Sequence, residues 1–342
     1  NILRNKFKGR KIFHIGDNYN ADMKACGAAG IKYYGVPNLN WMLSPYRECG
    51  VKSSVISLYS AQINALHTIK QIPSLYYYHG YVYGGILTYG FCKWLDGLAK
   101  DNKFDLFLFT ARDCKVVYEV YKNHFSTIKS EYLYVSRLAA LKLSFDKNFD
   151  MFFDIMFRAK ALRSSKVSVE QALCQADLGG LIVKLGDYGI DAGACLNAAM
   201  LDKLLSFLLD NKQNIAKSFA KDKEAFLQYI SPLIGNSKNI CIVDLGWRGT
   251  VYSLLSDCFL ENMGNLLLSC AMIGSADSDI PIGLIESGKL YAYAFSNRHN
   301  VQYIVDERKV VLLELLYSSS MPSVTGYEIE DGKGVPVFRK AE

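Results

Sequence analysis

Residues 11–35, KIFHIGDNYNADMKACGAAGIKYYG, contain a complete strand–turn–helix–strand pattern. An apolar run ends in Gly16-Asp17, which is typical of a strand followed by a tight turn. Small residues from Ala25 to Ala29 then favour a helix, and apolar residues resume at Ile31. This order of elements is typical of α/β proteins.

Two carboxylates follow the first of these strands. Asp17 stands at the turn, and Asp22 comes five residues later. Ligands of open α/β sheets bind beyond the carboxyl ends of the strands, and hard divalent cations prefer oxygen ligands. The pattern therefore indicates a cation site at Asp17 and Asp22. The alternative is an ordinary strand–turn–helix in which Asp17 only caps the turn.

The composition is that of a globular chain with a large core. Of the 342 residues, 50% are hydrophobic and 13% are aromatic, which excludes a disordered chain. The net charge of +6 comes without a basic tract, so nucleic acid is not an expected partner. Nine cysteines lack disulfide or zinc spacing, and no signal peptide or membrane span is visible. We therefore expect a cytoplasmic protein.

Three further segments repeat the strand–turn–helix order. They begin with the apolar runs Leu106–Thr110, Tyr132–Val135 and Ile240–Val243, and a further run covers Leu266–Ile273. Short apolar strands that alternate with helices predict a parallel sheet with helices on its faces. The predicted fold class is therefore α/β.

The chain divides into two predicted domains. Residues 1–50 hold the first pattern, residues 51–75 form a less regular linker, and residues 76–342 form a larger second α/β domain. The second domain carries a helical insertion at about residues 149–230, between its second and third strands.

Two local patterns support helices in this insertion, and one late segment is ambiguous. Ser168 and Gln171 have the spacing of a capping box, and Leu201–Ile230 predicts two helices. Near the end, residues 313–327 predict a helix followed by a hydroxyl-rich loop, which either lines a pocket or is solvated.

Arginine and other polar residues follow two strands of the second domain. Arg112 and Asp113 come after the first strand, and Ser136 and Arg137 come after the second. A guanidinium group beyond a strand end binds phosphate or carboxylate through paired hydrogen bonds. Two such strand ends together predict an anion-binding site. The alternative is that Arg112 pairs with Asp113 or with a neighbouring loop and only fixes the turn.

The third strand of this domain ends in a glycine-rich turn. Its candidate ligand residues are Asp244, Gly246, Arg248, Gly249 and Thr250, and a helix follows. Glycines let the backbone approach a ligand closely, and a helix N-terminus favours an anion. The turn predicts phosphate or sugar-phosphate binding, with a plain turn in which Asp244 caps the helix as the alternative.

The stretch from Gly16 to Asp22, with its strand and helix, resembles the fourth motif of the haloacid dehalogenase (HAD) superfamily. The resemblance implies that residues 1–50 are the C-terminal part of a HAD Rossmann-like domain, with Mg²⁺ held by Asp17 and Asp22. It also implies a hydrolase of the phosphatase class. The nucleophilic aspartate of that family belongs to an earlier strand and has no counterpart here, so no catalytic residue is assigned. The resemblance implies a natural chain with a longer amino terminus.

The later motifs extend this resemblance along most of the chain. In their order they are similar to the large HAD-like proteins of bacterial surface-polysaccharide gene clusters, some of which are fused to glycosyltransferases. This implies a role in capsule or lipopolysaccharide assembly, a phosphorylated or nucleotide-linked sugar as ligand, and a glycosyltransferase as partner or fused domain. Two alternatives are glycosyl or phosphoryl transfer by the second domain, and a non-catalytic module that docks onto a glycosyltransferase.

Overall fold

The structure is a computed structural model, and the residues it describes are 5–36, 62–63, 65–66, 74–163, 166–303 and 313–339. The chain forms two compact units, Asn1–Ile86 (unit 1) and Leu87–Glu342 (unit 2). The predicted second domain begins at residue 76, whereas unit 2 begins at Leu87. The predicted linker at residues 51–75 lies almost wholly outside the described residues.

Unit 1 contains the predicted strand–helix–strand pattern. Strand β1 (Phe13–Gly16) and strand β2 (Lys32–Gly35) are parallel. Between them a π-helical turn, Tyr19–Lys24, continues into the helix Ala25–Ala28. Farther along the chain lie the helix Leu75–His79 and the π-helical turn Gly80–Gly84.

Unit 2 is built on a five-stranded parallel sheet. Its strands are β3 (Leu106–Thr110), β4 (Lys129–Leu133), β5 (Asn239–Asp244), β6 (Leu267–Gly274) and β7 (Leu290–Phe295). Their order is β4-β3-β5-β6-β7, and all neighbouring pairs are parallel. This is a doubly wound order, in which the direction of winding reverses between β3 and β5. The predicted α/β class with a parallel sheet is confirmed.

Alternate residues of the central strands face two separate cores. Leu106 and Leu108 of β3 pack in the core that the helical insertion covers, whereas Phe107 and Phe109 pack in the core on the opposite face. All residues of β3 are buried. Burial on both faces explains why the central strands are continuous apolar runs.

Helices connect the strands and cover the sheet. Gly85–Asn102 leads into β3, and Lys115–His124 joins β3 to β4. Thr250–Met263 joins β5 to β6, and Asp279–Glu286 joins β6 to β7. Residues 313–317 are also helical.

The helical insertion is present between β4 and β5. Its α-helices are Arg137–Leu143, Phe149–Phe153, Ala159–Leu162, Val169–Gln175, Leu201–Asp210 and Lys212–Ile234, with a π-helical turn at Asp154–Arg158 and 3₁₀ segments at Gly179–Tyr188 and Ala198–Met200. The last two α-helices are the predicted pair. Ser168 and Gln171 form the predicted capping box.

One predicted strand is displaced. The apolar run indicated Tyr132–Val135, but β4 covers Lys129–Leu133, with Lys129 opposite Leu106 of β3. As an edge strand, β4 begins with polar residues that are exposed or only partly buried. Hydrophobicity alone does not detect such a beginning.

A C-terminal hairpin was missed from the sequence. Strands β8 (Val324–Glu330) and β9 (Lys333–Phe338) are antiparallel and pack against the helix Lys212–Ile234. Asp331 and Gly332 connect them with φ values of 48° and 73°. Two positive φ values at an Asp-Gly pair are typical of a type I′ hairpin turn, so this dipeptide was an available signal.

Candidate functional site

The turns after β3 and β5 meet at the carboxyl edge of the sheet in unit 2. The two strands are neighbours, with Phe109 opposite Val243, and the strand order reverses between them. Ligands of open α/β sheets bind at such a switch point. Arg112, Asp113 and Asp244 follow these strands and therefore lie where a ligand is expected.

A cavity of about 820 Å³ lies at this edge. Its volume is in the range of small-molecule sites, roughly 300–1,000 Å³. The predicted site residues that line it are Arg112, Asp113, Ser136, Arg137, Asp244, Gly246 and Arg248. The structure thus brings together the turns after β3, β4 and β5. Gly249 and Thr250 are not among the lining residues.

Asp244 is held through one carboxylate oxygen. Thr110 Oγ1 and the backbone N–H of Leu245 both donate to Asp244 Oδ1, at 3.1 and 2.8 Å. No described residue donates a hydrogen bond to Asp244 Oδ2. Burial raises the pKa of Asp244 from 3.8 to about 6, while the Thr110 hydrogen bond acts in the opposite direction. The carboxyl group therefore titrates close to neutral pH.

Asp244 does not cap the helix that follows it. The N-cap of this helix is Gly249, which offers no side-chain hydrogen bond. The alternative of a plain capped turn is therefore wrong for Asp244.

Asp113 lies in a similar environment. Burial raises the pKa of Asp113, Arg112 and Arg137 oppose this rise, and Glu314 adds to it. Within the described residues, Arg112 forms no ion pair with Asp113. The alternative in which this pair only fixes the turn is therefore not observed.

Gly246 allows the turn after β5 to approach β6. Its φ is 148°, and a Cβ atom there would lie 2.6 Å from the Gly274 carbonyl oxygen, so a larger residue does not fit. The next residue, Trp247, donates from Nε1 to Glu314 Oε1 at 3.2 Å and stacks on Phe295. These two contacts fix the indole as one wall of the cavity.

Three predicted ligand residues have structural roles. Ser136 Oγ donates to the Val324 carbonyl at 2.6 Å and accepts from the Ala139 N–H at 3.1 Å, so its hydroxyl caps a helix. Gly249 is buried with a φ of 65°, and Thr250 begins the next helix. Ser136 lines the cavity as well, whereas Gly249 and Thr250 do not.

Basic side chains dominate the cavity wall. They are Arg112, Arg137, Lys160, Arg163, Arg248 and Arg339, against the acidic Asp113, Asp244 and Glu314. Among the described residues, no side chain of the five arginines makes an ion pair or donates a hydrogen bond. Guanidinium groups without partners around a cavity favour anion binding.

Half of these basic residues are not predicted from the sequence. Lys160 and Arg163 come from the helical insertion, and Arg339 follows β9. Lys160 Nζ donates to Gln175 Oε1 at 2.7 Å, and burial lowers the pKa of Lys160, with a further decrease caused by Arg339. No local motif marks these residues, because tertiary packing brings them to the cavity.

The late segment of the chain lines the same cavity. Glu314, Ser323 and Thr325 are lining residues, and Val324 begins β8 between the last two. Part of the segment at residues 313–327 therefore lines the pocket, whereas Ser318, Ser319 and Ser320 are not among the lining residues.

In unit 1, both oxygens of Asp22 have protein partners. His14 Nε2 lies 2.8 Å from Asp22 Oδ1, and the Asn18 N–H donates to Asp22 Oδ2 at 2.8 Å. The Asn18 and His14 hydrogen bonds lower the pKa of Asp22. Gly16 leaves room for the carboxylate, since a Cβ atom there would lie 2.2 Å from it.

The described part of unit 1 does not assemble a complete metal site. Asp17 is exposed, and Asn18, rather than Asp17, caps the following helical turn with its side chain. Throughout the described ranges, no group of three or more His, Cys, Asp or Glu residues could hold a metal ion. The Mg²⁺ site at Asp17 and Asp22 stays a prediction.

A second cavity, of about 550 Å³, lies in unit 1. Its basic lining residues are Lys8, Arg10, Lys11 and Lys32, all of them exposed.

The sheet and its switch point place unit 2 in the doubly wound, Rossmann-like class of α/β proteins. No protein-family model matches the chain, and no curated protein matches it. Among the described residues, no helix combines the length and apolar character that crossing a bilayer requires.

Proposed function

We propose that unit 2 binds a phosphorylated or nucleotide-linked sugar in the cavity at the carboxyl edge of its sheet. The observation that carries this proposal is the set of five arginines around one cavity, none with an ion-pair partner among the described residues. Guanidinium forks match phosphate oxygens in both geometry and charge. The cavity of about 820 Å³ has room for a sugar joined to phosphate groups.

Other lining residues suit a sugar. Trp247 presents a fixed, flat indole, and Asp113 and Glu314 offer carboxylate oxygens that accept hydrogen bonds from hydroxyl groups. Thr325 adds a hydroxyl of its own. The cavity therefore combines groups for a phosphate with groups for a polyhydroxylated ring.

Calorimetric titration of the whole chain with nucleoside diphosphate sugars and inorganic pyrophosphate tests the proposal. The double variant Arg248→Ala/Arg339→Ala removes two lining arginines from different elements. It is expected to lose at least about tenfold in affinity, as loss of charged hydrogen bonds predicts. Arg158→Ala is the matched control, because Arg158 pairs with Asp154 and does not line the cavity. A double variant that binds like the wild type would contradict the proposal.

A second candidate function is glycosyl or phosphoryl transfer at the same site. Asp244 favours this function. Its pKa is about 6, none of the described residues donates a hydrogen bond to its Oδ2 atom, and it lines the same cavity as the arginines. An acid with such a pKa is suited to general acid–base catalysis near neutral pH. As a base, Asp244 would accept the proton of an acceptor hydroxyl at Oδ2.

The pH profile of turnover tests this second function. Turnover of a nucleotide-linked sugar is expected to fall as pH is lowered through about 6, because the base must be ionised. Asp244→Asn is expected to lose turnover while it still binds pyrophosphate. Unchanged turnover in this variant rules the role of Asp244 out.

The resemblance along the chain supports a wider proposal. The motif around Asp17 and Asp22, with the later motifs of unit 2, supports a HAD-like protein of bacterial surface-polysaccharide biosynthesis. A glycosyltransferase is then its proposed partner or fused domain. If the HAD site is completed by upstream sequence, Asp17 and Asp22 would hold Mg²⁺, which supplies charge stabilisation in phosphoryl transfer.

A further inference from the structure

The charges around the cavity divide between two walls. The sheet-edge wall carries Arg112, Asp113, Arg137, Asp244, Arg248 and Glu314. The insertion–hairpin wall carries Lys160, Arg163, Gln175, Ser323, Thr325 and Arg339. The first wall comes from the turns after β3 and β5, from Arg137 at the start of the helical insertion just after β4, and from residues 313–317. The second wall comes from the rest of the helical insertion and from the hairpin with the residue before it.

The sheet-edge wall is close to neutral as a whole. Its three arginines are matched by three carboxylates. Arg137 opposes the rise in pKa of both Asp113 and Asp244, which places these charges near one another. An additional anion at this wall would meet carboxylates as well as arginines, and like charges in a partly buried site repel strongly.

The insertion–hairpin wall is positively charged. None of its described lining residues is acidic, and the polar partner of Lys160 Nζ named above, Gln175 Oε1, is neutral. Arg339 lies near enough to Lys160 to lower its pKa. Repulsion between these cations is relieved when an anion binds among them.

We propose that the phosphate groups of the ligand bind at the insertion–hairpin wall, against Arg163 and Arg339, and that an uncharged sugar lies at the sheet-edge wall beside Asp113 and Asp244. This inference rests on the proposed function and narrows it. The ligand class is a neutral sugar linked to phosphate or diphosphate, and sugars that carry a further phosphate or carboxylate are excluded.

Carboxylates favour a neutral sugar for a specific reason. They accept hydrogen bonds from sugar hydroxyl groups, which donate without adding charge. A second phosphate on the sugar would lie next to Asp113 and Asp244, and their repulsion would offset the attraction of the arginines.

Inorganic pyrophosphate tests the assignment of the walls without depending on the identity of the sugar. In calorimetric titrations of the whole chain, Arg163→Met and Arg339→Met are each expected to weaken pyrophosphate binding at least about tenfold. Arg112→Met and Arg248→Met are expected to change it less than about threefold. Arg158→Met is the control, and circular dichroism confirms that each variant is folded.

The outcomes separate this inference from the function on which it rests. Larger losses with Arg112→Met and Arg248→Met than with Arg163→Met and Arg339→Met overturn the wall assignment but leave the cavity as the binding site. Pyrophosphate binding that none of the four variants weakens, or no binding at all, overturns the proposed function as well.

Two ligands that share the same nucleotide and sugar ring, but differ in the charge of the sugar, test the neutral-sugar assignment. Uridine diphosphate glucose is expected to bind at least about fivefold more tightly than uridine diphosphate glucuronic acid, since the carboxylate of the latter meets Asp113 and Asp244. Asp113→Asn is expected to narrow this difference. Tighter binding of uridine diphosphate glucuronic acid overturns the neutral-sugar assignment. So does weak binding of both nucleotide sugars when pyrophosphate itself binds tightly.

Discussion

Asp244 is an ionisable group in a place that disfavours its charge. Its folded pKa of about 6 exceeds the ordinary value of 3.8, so the folded protein holds the proton more tightly than the unfolded chain. The contribution of Asp244 to the free energy of unfolding is therefore largest below about pH 4 and is lost as pH rises through about 6. At neutral pH this is a cost to stability, which is typical of functional carboxylates.

Asp244→Asn is expected to raise the thermal stability of the protein at pH 7. Asparagine keeps an oxygen that accepts from Thr110 and Leu245 but carries no charge into the buried site. A gain of about 1 kcal/mol corresponds to roughly 2–4 °C in the unfolding midpoint. Thermal unfolding at pH 7 and pH 4 checks this, and the gain should shrink at pH 4.

Asp105→Asn is the matched control, for which we expect a change in thermal stability of the opposite sign. Asp105 Oδ2 accepts from the backbone N–H groups of Lys238 and Asn239, and these hydrogen bonds lower its pKa. Loss of this charge is expected to lower the unfolding midpoint at pH 7. If both variants shift it in the same direction, the electrostatic account of Asp244 is wrong.

Gly246→Ala is expected to distort the turn after β5. A Cβ atom at a φ of 148° would lie 2.6 Å from the Gly274 carbonyl oxygen, so the backbone must move. Destabilisation of more than about 1 kcal/mol is expected, together with weaker pyrophosphate binding. Chemical denaturation measures the first effect and calorimetry the second.

Gly186→Ala controls for the loss of a glycine as such. A Cβ atom at Gly186 would meet no other atom within 4 Å, and φ there is not positive, so alanine should be tolerated. Equal destabilisation by both substitutions would contradict the special role of the Gly246 position.

A residue of the site can be predicted from the sequence where its immediate neighbours in the chain indicate its position. Arg112, Asp113 and Asp244 directly follow apolar strands, and strand ends of an α/β sheet are where ligands bind. Arg163 and Arg339 carry no such mark, because they reach the cavity only through the packing of the insertion and the hairpin. Ser136 shows the converse, since its capping role and a ligand role look the same in sequence.

At the scale of elements, the hairpin depends on one buried lysine. The side chain of Lys142 is 3% exposed, and its Nζ pairs with Asp177 and with Asp222, the latter at 2.9 Å. It also donates to the Thr325 carbonyl of β8 at 3.1 Å, while Asp222 accepts from the Tyr327 N–H. This cluster holds β8 in place as part of the cavity wall.

Lys142→Met is expected to destabilise unit 2 by about 3 kcal/mol, because it leaves Asp222 with no cation in a mostly buried position. The hairpin should loosen first, since it loses the bond to Thr325. Chemical denaturation gives the free energy, and hydrogen exchange of the β8 amides locates the change.

Lys147→Met is the control for loss of a lysine ion pair. Lys147 pairs with Glu261 at 2.8 Å but is 52% exposed, so its removal should cost less than about 1 kcal/mol. Unchanged exchange of the β8 amides in Lys142→Met would mean that the lysine does not hold the hairpin.

Strands that are fully buried were predicted more accurately from the sequence than strands that are partly buried. Leu106–Thr110 agrees with β3 at both ends, because a strand buried on both faces is apolar throughout. β4 was displaced and β7 was missed, since both are edge strands with partly buried residues. Hydrophobicity does not predict the hairpin, because β9 is only partly buried, although Asp331-Gly332 marks its turn.

At the scale of the whole molecule, the net charge of +6 is partly concentrated at one cavity. The lining residues include six basic and three acidic side chains, which favours anions over neutral ligands. Pyrophosphate binding is therefore expected to weaken by about tenfold or more between roughly 0.05 and 0.5 M salt, because salt screens the attraction between these side chains and the anion. Titrations at several salt concentrations measure this, and affinity that does not depend on salt would argue against the arginines.

The most direct test of the central claim is a crystal structure of the chain with inorganic pyrophosphate. The account predicts pyrophosphate in the cavity of unit 2, within hydrogen-bond distance of Lys160, Arg163 and Arg339. Pyrophosphate found only in the other cavity, beside Lys8 and Arg10 of unit 1, would contradict it, and so would an empty cavity at a saturating concentration.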